Sequence, residues 1–385
     1  MSRMRLKDIA IEKNERVDNP SQSQYSIFVG LEHYDSGEAT IRRYGSTERL
    51  ESTMKVFHSG DILIARRNVY LKRAATVDFD GLTSGDSIVL HIENEAFRRI
   101  APFVLNTDDF WIYANQHADG SMSKRLSPKL LMEYEFSLPD GNLEQVADIL
   151  WAMERVKTAY RELIARTDDL VKSQFIEMFG DPEFETKNVP VHTLGELITV
   201  GPQNGLYKAQ SYYRTDGSGI PIVRVDSFYE GMVTDYSSLK RLICSDAERE
   251  LYRLENDDLI FNRVNGSVEH VGKCARIQGV TEDTVFESNI MRVRTNPDMV
   301  DICYLSTYLQ SDIIRRQIKR VARVANQASV NQDNIRGLLI PLPHMKRQKE
   351  YAALVEQSDK SKFAAQQALK EVTDAQKALM KKIFE

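Results

Sequence analysis

Two long stretches of the chain repeat apolar or neutral positions every three and four residues. In the middle, Val146, Ile149, Leu150, Met153, Val156, Tyr160, Leu163, Ile164, Thr167, Leu170, Val171, Phe175 and Met178 hold this spacing. That predicts one amphipathic helix of about ten turns. Asn142, three residues before Gln145, provides an N-cap, and Gly180 and Pro182 provide the stop. At the end of the chain Tyr351, Leu354, Ser358, Ser361, Ala365, Ala368, Val372, Ala375 and Leu379 step as a coiled-coil seam. Its middle is Ser and Ala, so a partner helix can approach closely there. Tyr160, Leu163 and Ile164 of the first helix are large enough to fill that space. Neither stripe is stable in water alone, so the simplest arrangement packs the two helices together, antiparallel.

The remaining sequence reads as α+β. Short apolar runs bounded by Gly, Asn and Asp predict strands at Ser26–Val29, Asp61–Ala65, Ser87–His91, Pro221–Val225, Leu259–Phe261 and Ile290–Arg294. The stretch 302–324 reads as helix, apolar in its first half and basic in its second.

The two halves echo each other. Val29–Gly37 resembles Val223–Gly231, Asp61–Asn68 resembles Asp258–Asn265, and Ser137–Pro139 resembles Pro341–Pro343. The offset is roughly 200 residues, far beyond the about 20–50 of a solenoid repeat. The unit duplicated is therefore a domain plus a helix, divided as 1–140, 141–180, 181–343 and 344–385. Such a duplication suits a partner with two similar parts. If each domain sits at the start of its own helix, antiparallel packing separates the domains by roughly 55 Å at about 1.5 Å per residue. That is comparable to about 16 base pairs.

Charge adds one refinement. The net charge of −5 does not mark a nucleic-acid binder. Residues 141–189 carry about −4 and residues 344–385 about +3, so the helical stretches attract each other while the domains stay near neutral. Any anion-binding face must come from local clustering. The three cysteines, Cys244, Cys274 and Cys303, fit a reducing compartment without a disulfide framework. No apolar run approaches the roughly 18 residues of a membrane span, and no Cys/His spacing suggests zinc.

Four clusters are candidates for DNA contact. The first is Arg315, Arg316, Lys319, Arg320 and Arg323, five cations with no acid between them; a basic helical face neutralises phosphates. The second is the loop after a buried strand in each half: Arg263, Asn265, Lys273 and Arg276 in one, and Arg66, Arg67, Asn68, Lys72 and Arg73 in the other. Arg and Asn can pair bidentately with guanine and adenine edges. The third is Gln203, Asn204, Tyr207 and Lys208, and the fourth Asn326 and Gln327 with Asn331 and Gln332. Against these stand plainer readings: a solvated basic face, and turns in which Asn and Gly serve the backbone alone. Lys124 and Arg125 suit phosphate contact or plain solvent exposure. Ser358, Ser361, Ala365, Ala368 and Val372, facing Tyr160, Leu163 and Ile164, are assigned to helix packing.

A search for catalytic constellations finds no Gly-rich cofactor loop, no Asn/Asp-Pro-Pro-aromatic tetrapeptide and no Walker A loop. Glu185-Thr-Lys187 has a nuclease-like form but sits in a polar linker rather than on a strand.

The pair of α+β domains, each followed by a long helix introduced by Leu-Pro or Pro-Leu-Pro, resembles the DNA specificity subunit of type I restriction–modification systems. The resemblance rests on Leu194-Gly-Glu-Leu-Ile198, Asn204-Gly-Leu-Tyr-Lys208, Gly219-Ile-Pro-Ile-Val-Arg-Val225, Asn334-Ile335 and Pro341-Leu-Pro343 leading to Gln348. In the first half it rests on Val29–His33 and Leu138–Gln145. The first domain opens without a clear Leu-Gly-Glu element, and Arg347 stands where the family usually has glutamate. The resemblance implies two target-recognition domains, 1–140 and 181–343, each reading half of a split site on double-stranded DNA. It implies a pseudo-twofold repeat with two spacer helices, 141–180 and 344–385, as an antiparallel coiled coil. It further implies a non-catalytic cytoplasmic subunit that docks two methyltransferase (modification) subunits and is joined by endonuclease/translocase (restriction) subunits. This chain would bind no cofactor; S-adenosylmethionine would sit in the methyltransferase partner. The alternative is a two-domain coiled-coil interaction scaffold without a DNA role.

Overall fold

A computed structural model describes residues 2–120, 124–139, 141–180, 189–228, 231–233, 236–324 and 327–384. The chain divides into two compact units: Met1–Ile164 with Ala364–Glu385, and Ala165–Phe363. Each unit therefore combines one α+β domain, the first part of the helix that follows it, and the last part of the other long helix.

In the first unit, Ser2–Arg5 pairs antiparallel with Glu135–Leu138, the strand that leads into the central helix. Ile11–Lys13, Ser87–His91, Ile62–Ala65 and Ala74–Thr76 form one antiparallel sheet. A second sheet is ordered Arg16–Val17, Met54–Phe57, Gly81–Thr83, Ile27–Val29 and Gly45–Ser46, with Ile27–Val29 parallel to Gly81–Thr83. The all-apolar strand Ile62–Ala65 is buried throughout, as a strand with both faces covered must be. Two helices follow. Asn94 caps Glu95–Val104 and Thr107 caps Asp108–Gln116, each side-chain oxygen accepting from a backbone N–H three residues on. Such caps contribute about 1 kcal/mol each.

The second unit repeats this plan. Val191–Thr193 pairs with Leu339–Pro341, which leads into the terminal helix. Leu259–Asn262 lies between Ile290–Thr295 and Cys274–Ile277, and Ile220–Val223 runs parallel to Val285–Phe286. Ile302–Leu309 and Asp312–Val321 repeat the helix pair. The continuous helix expected over 302–324 is thus broken at Gln310–Ser311, where the backbone turns and Asp312 opens a new first turn. Arg323 lies beyond the helix, in the strand Arg323–Val324. The repeat also shows how the first domain begins. Leu6–Asp8, a single 3-10 turn after the paired strand, stands where Leu194–Leu197 stands in the second unit. Leu6 and Leu194 are both fully buried.

The central helix spans Leu143–Phe179 and the terminal helix Met345–Phe384. Asn142 Oδ1 accepts from Glu144 N at 3.0 Å, and Gly180 ends the helix at φ +80°. The expected stop at Pro182 and the Glu185–Lys187 stretch lie outside the described residues. In the second unit Tyr351 lies beside Phe175 and Phe179, and Lys362 pairs with Asp168 at 2.6 Å. As one helix ascends the other descends, so the helices are antiparallel.

Their seam is rotated from the expected one. On the terminal helix Tyr351, Val355, Ser358, Ala365, Gln376 and Met380 are buried. Ala368 and Val372 are half-buried, and Ser361 is exposed, its hydroxyl returned to Gln357 O. On the central helix Ala147, Leu150, Glu154, Lys157 and Phe175 are buried and Ile164 half-buried. Tyr160 is half-buried, and Leu163 is 49% exposed, off the seam. Periodicity favours the wrong stripe of this helix, because the buried one carries Glu154 and Lys157 while the exposed one is apolar.

Candidate nucleic-acid interface

Each unit carries the same hairpin. Ile62–Ala65 and Ala74–Thr76 are joined by residues 66–73, and Leu259–Asn262 and Cys274–Ile277 by residues 263–273. Loops fixed to a buried sheet are where recognition side chains can be held without loss of order.

In the first unit this loop is braced along its whole length. Asn68 and Lys72 both adopt left-handed backbone, φ 54° and 49°, on either side of the 3-10 turn Val69–Leu71. Asn68 N donates to Lys124 O, and Leu126 N to Arg66 O. Asp86 pairs with Arg67 at 3.6 Å and with Arg125 at 3.3 Å. Lys72 Nζ bonds Asp108 at 2.6 Å and holds that carboxyl below its ordinary range. The Arg73 guanidinium donates to Leu31 O and Arg67 O, and burial lowers its pKa. Arg66 is half-buried, its Nε without a hydrogen-bond partner among the described residues. Lys124 and Arg125 come beside Arg67, a clustering of residues some 60 positions apart that only folding produces.

In the second unit three of the candidate clusters converge. Val264–Asn265 pairs with Ala328–Ser329, which pairs with Arg323–Val324. The hairpin loop is thereby joined to the segment after the basic helix. Arg263 Nε donates to Ser288 O, and Asn265 Oδ1 accepts from Ser267 N. Arg315 donates to Val271 O at 2.7 Å, Glu269 O at 2.8 Å and Val268 O at 3.3 Å. Its guanidinium is engaged in holding the loop. Arg316, Lys319, Arg320 and Arg323 are exposed. Lys319 pairs with Glu269 at 2.8 Å and lowers that carboxyl's pKa, but both side chains are largely in water. Such a pair contributes little, so a phosphate can take its place. Glu269 had no signal in the sequence. Gln327 is exposed, Lys273 is half-buried, and Asn326 lies outside the described residues.

Other candidates serve the scaffold. Gln203 accepts from Arg292 and donates to Leu251 O. Arg276 is bound to Asp257 at 2.6 Å and to Cys303 Sγ at 3.0 Å, on the sheet rather than the loop. Lys208 pairs with Glu248 at 2.7 Å and lies over the Tyr212 ring. Asn204 is exposed, and Tyr207 is 79% exposed. Among the described residues, no three His, Cys, Asp or Glu side chains are placed to hold a metal ion.

The helices present two further features. In the first unit Lys157, almost fully buried, bonds Glu154 at 2.6 Å and Gln376 at 2.9 Å, with Glu38 at 3.8 Å. Glu38 also pairs with Arg42 and Arg161, joining the first α+β domain to both helices. Along the outer face of the central helix, Ile149, Val156, Leu163 and Leu170 recur every seven residues and are exposed. In the first unit Ile149, Ala152, Met153 and Val156 with Val372 and Ala375 line an apolar groove.

Residues 186–373 match the family model of the type I restriction modification DNA specificity domain. The chain is 30% identical over 198 residues to the putative type I restriction enzyme MjaX specificity subunit of Methanocaldococcus jannaschii, and 28% identical over 195 residues to the EcoKI specificity subunit of Escherichia coli K12. These alignments cover about half of this chain, 50% and 49%, and 45% and 41% of those relatives. In fold, the chain resembles a type I restriction–modification S subunit from M. genitalium, with a TM-score of 0.57 and 14% identity, covering 100% of this chain and 96% of that one. It also resembles a chain solved in a study of complex assembly and conformational transition of the type I R-M system, with a TM-score of 0.52, 20% identity and coverage of 99% and 97%. The second half of the chain, residues 186–373, thus carries a type I restriction modification DNA specificity domain, and the whole chain shares its duplicated domain-and-helix fold with type I S subunits.

Proposed function

We propose that this chain is a non-catalytic subunit that recognises a bipartite sequence in double-stranded DNA and directs partner enzymes to it. The observation that carries the reading is the internal repeat: two α+β domains, each bearing a braced loop on the same hairpin and each rooted in an antiparallel helix pair. Two similar readers suit a target in two halves. In this reading the exposed cations Arg316, Lys319, Arg320 and Arg323 supply phosphate affinity, and loop residues such as Arg67, Asn68, Arg263 and Asn265 read base edges.

The heptad stripe Ile149, Val156, Leu163 and Leu170 supports docking of methyltransferase (modification) subunits through their own helices, because an apolar stripe at this spacing is stable only when covered. S-adenosylmethionine would be bound in those subunits, and endonuclease/translocase (restriction) subunits would join the complex. Such work on DNA would be done in the cytoplasm. Among the described residues no helix is long and apolar enough to cross a membrane.

The test is to sequence methylated bases in cells expressing the chain with its methyltransferase partner. A two-part motif with a fixed unspecified gap is expected. Exchange of residues 1–140 for another such domain should change one half only. A contiguous motif, or alteration of both halves, would overturn the reading. In vitro, log affinity should fall steeply and linearly with log salt; a flat response would favour a scaffold without a DNA role.

A further inference from the structure

The turn Val69–Leu71 in the first unit has an unusual construction. Val69 is buried as an anchor, while Tyr70 is 62% exposed and Leu71 is exposed beside it. A surface turn has no folding reason to present an adjacent aromatic and aliphatic pair to water. Nor is the turn loose. Non-glycine residues rarely adopt positive φ, and here two do so within five positions. That geometry persists only where surrounding contacts impose it. Those contacts are present: Leu71 N to Asn68 O, Lys72 N to Val69 O, Gly37 N to Lys72 O, Asn68 N to Lys124 O, and the Lys72–Asp108 ion pair. The sequence therefore accepts local strain to hold Tyr70 and Leu71 at a fixed tip.

The surroundings identify the occupant. Arg67, Lys124 and Arg125 lie beside the turn through the Arg67–Arg125 bridge and the Asn68–Lys124 hydrogen bond. Asp86, shared by Arg67 and Arg125, and Asp108, paired with Lys72, leave the cations around the turn in excess. A polyanion with apolar surface between its charges matches such a tip, and duplex DNA is such a ligand. The corresponding loop of the second unit has Asn265, Gly266 and Ser267 in place of an aromatic tip. The two domains thus differ in the chemistry they offer.

We infer that Tyr70, supported by Leu71, is a specificity-determining residue of the first domain that makes an apolar contact with a base of its half-site. The contact is either to a thymine methyl group or to the face of a base at an opened step. This inference rests on the proposed role in DNA recognition. Rigid placement matters because an aromatic ring contributes most where little side-chain freedom remains to be lost.

The experiment uses the full chain assembled with its methyltransferase subunits, once wild type has yielded a two-part motif. If wild type yields none, the proposed function fails and Tyr70 is not at issue. With the motif known, Tyr70→Ala should weaken binding to the cognate duplex by about tenfold. It should leave binding to a duplex scrambled in the first half unchanged, and relax at least one base of that half in the methylation motif. Tyr70→Phe should retain wild-type reading. Replacing thymine by deoxyuridine in the first half should reproduce the loss in wild type but not in Tyr70→Ala if the contact is to a methyl group. A rise in 2-aminopurine fluorescence on binding, absent in the variant, would mark an opened step. An unchanged motif with affinity within twofold of wild type would overturn the inference. So would loss of subunit assembly with an unchanged motif, which would make the turn a protein contact.

Discussion

Asp61 and Asp258 occupy the same turn in the two units, and both are almost completely buried. Each accepts a backbone N–H three residues earlier, from His58 and Glu255 respectively. Yet Asp61 faces His91 at 2.8 Å, whereas Asp258 faces Arg294 at 2.6 Å. Burial outweighs the arginine and raises the Asp258 carboxyl above its ordinary range. The roots of the domains diverge in the same manner. In the first unit a buried ion network of Glu38, Glu154, Lys157 and Arg161 joins domain to helices. In the second, Phe175, Phe179, Tyr304 and Tyr351 pack with ring centroids 4.8–5.6 Å apart, and the Tyr304 hydroxyl donates to Pro341 O. The duplicated plan therefore preserves what the backbone requires, a capped turn and a filled seam. The chemistry filling those places is free to differ, because packing volume and hydrogen-bond satisfaction can be met in several ways.

The sharpest test of this contrast is to remove one centre from each root. Tyr351→Ala should cost about 3–5 kcal/mol through the cavity it leaves. Lys157→Met should cost a similar about 3–5 kcal/mol, because Glu154 and Glu38 stay buried with one cation fewer. Denaturant unfolding measures both. If the lysine variant were as stable as wild type, the network would not hold the domain. A charge-free repair, Lys157→Met with Glu154→Leu, should recover much of the loss, whereas no hydrophobic second change repairs Tyr351→Ala as directly.

Next in size is the position of the seam. Ala365→Leu should lose about 1–3 kcal/mol by overpacking. Ser361→Leu, exposed on the same helix, should change stability by less than about 0.5 kcal/mol. Equal losses in thermal melts would return the seam to the pattern expected from spacing.

The basic helix offers a functional comparison. Arg320→Ala should weaken DNA binding about equally across sequences and reduce the salt slope by about 1. Arg315→Ala should instead loosen loop 266–272, seen as faster hydrogen exchange at its amides, because it releases three carbonyls. Reversal of the two effects would exchange their roles.

The smallest effect concerns Glu248, whose pKa Lys208 and the Ser245 backbone lower to about 2. A depressed carboxylate stabilises the fold above its unfolded value, and that contribution fades as pH falls toward about 2. Lys208→Met should return Glu248 toward the ordinary carboxylate range in an NMR titration. An unmoved Glu248 would leave Lys208 free to face DNA.

Much of the architecture was legible because it depends on local pattern. The strands at Asp61–Ala65 and Ser87–His91 have unbroken apolar centres, Ile290–Arg294 alternates apolar residues with arginine, and all three occur within a residue of the expected bounds. Gly180 ends the central helix as its sequence implies. The misreadings have particular causes. Spacing does not reveal the break at Gln310–Ser311, because Ile313 and Ile314 continue the helical period. Spacing points to Leu163 as seam because the exposed stripe is apolar, whereas the buried stripe is masked by the charged Glu154 and Lys157. In the candidate interface, type and charge marked Arg315, Lys208 and Arg276, but their carbonyl, carboxylate and thiol partners are distant in sequence.

Local periodicity, capping residues and the repeat of motifs sufficed to determine two α+β domains, two long helices and a duplicated plan, since each depends on neighbours within a few turns. Only tertiary structure decided which cations face solvent, which stripe is buried and which turn holds Tyr70 outward. Those outcomes depend on partners up to 226 residues away, as between Gln376 and Leu150, which no local pattern encodes.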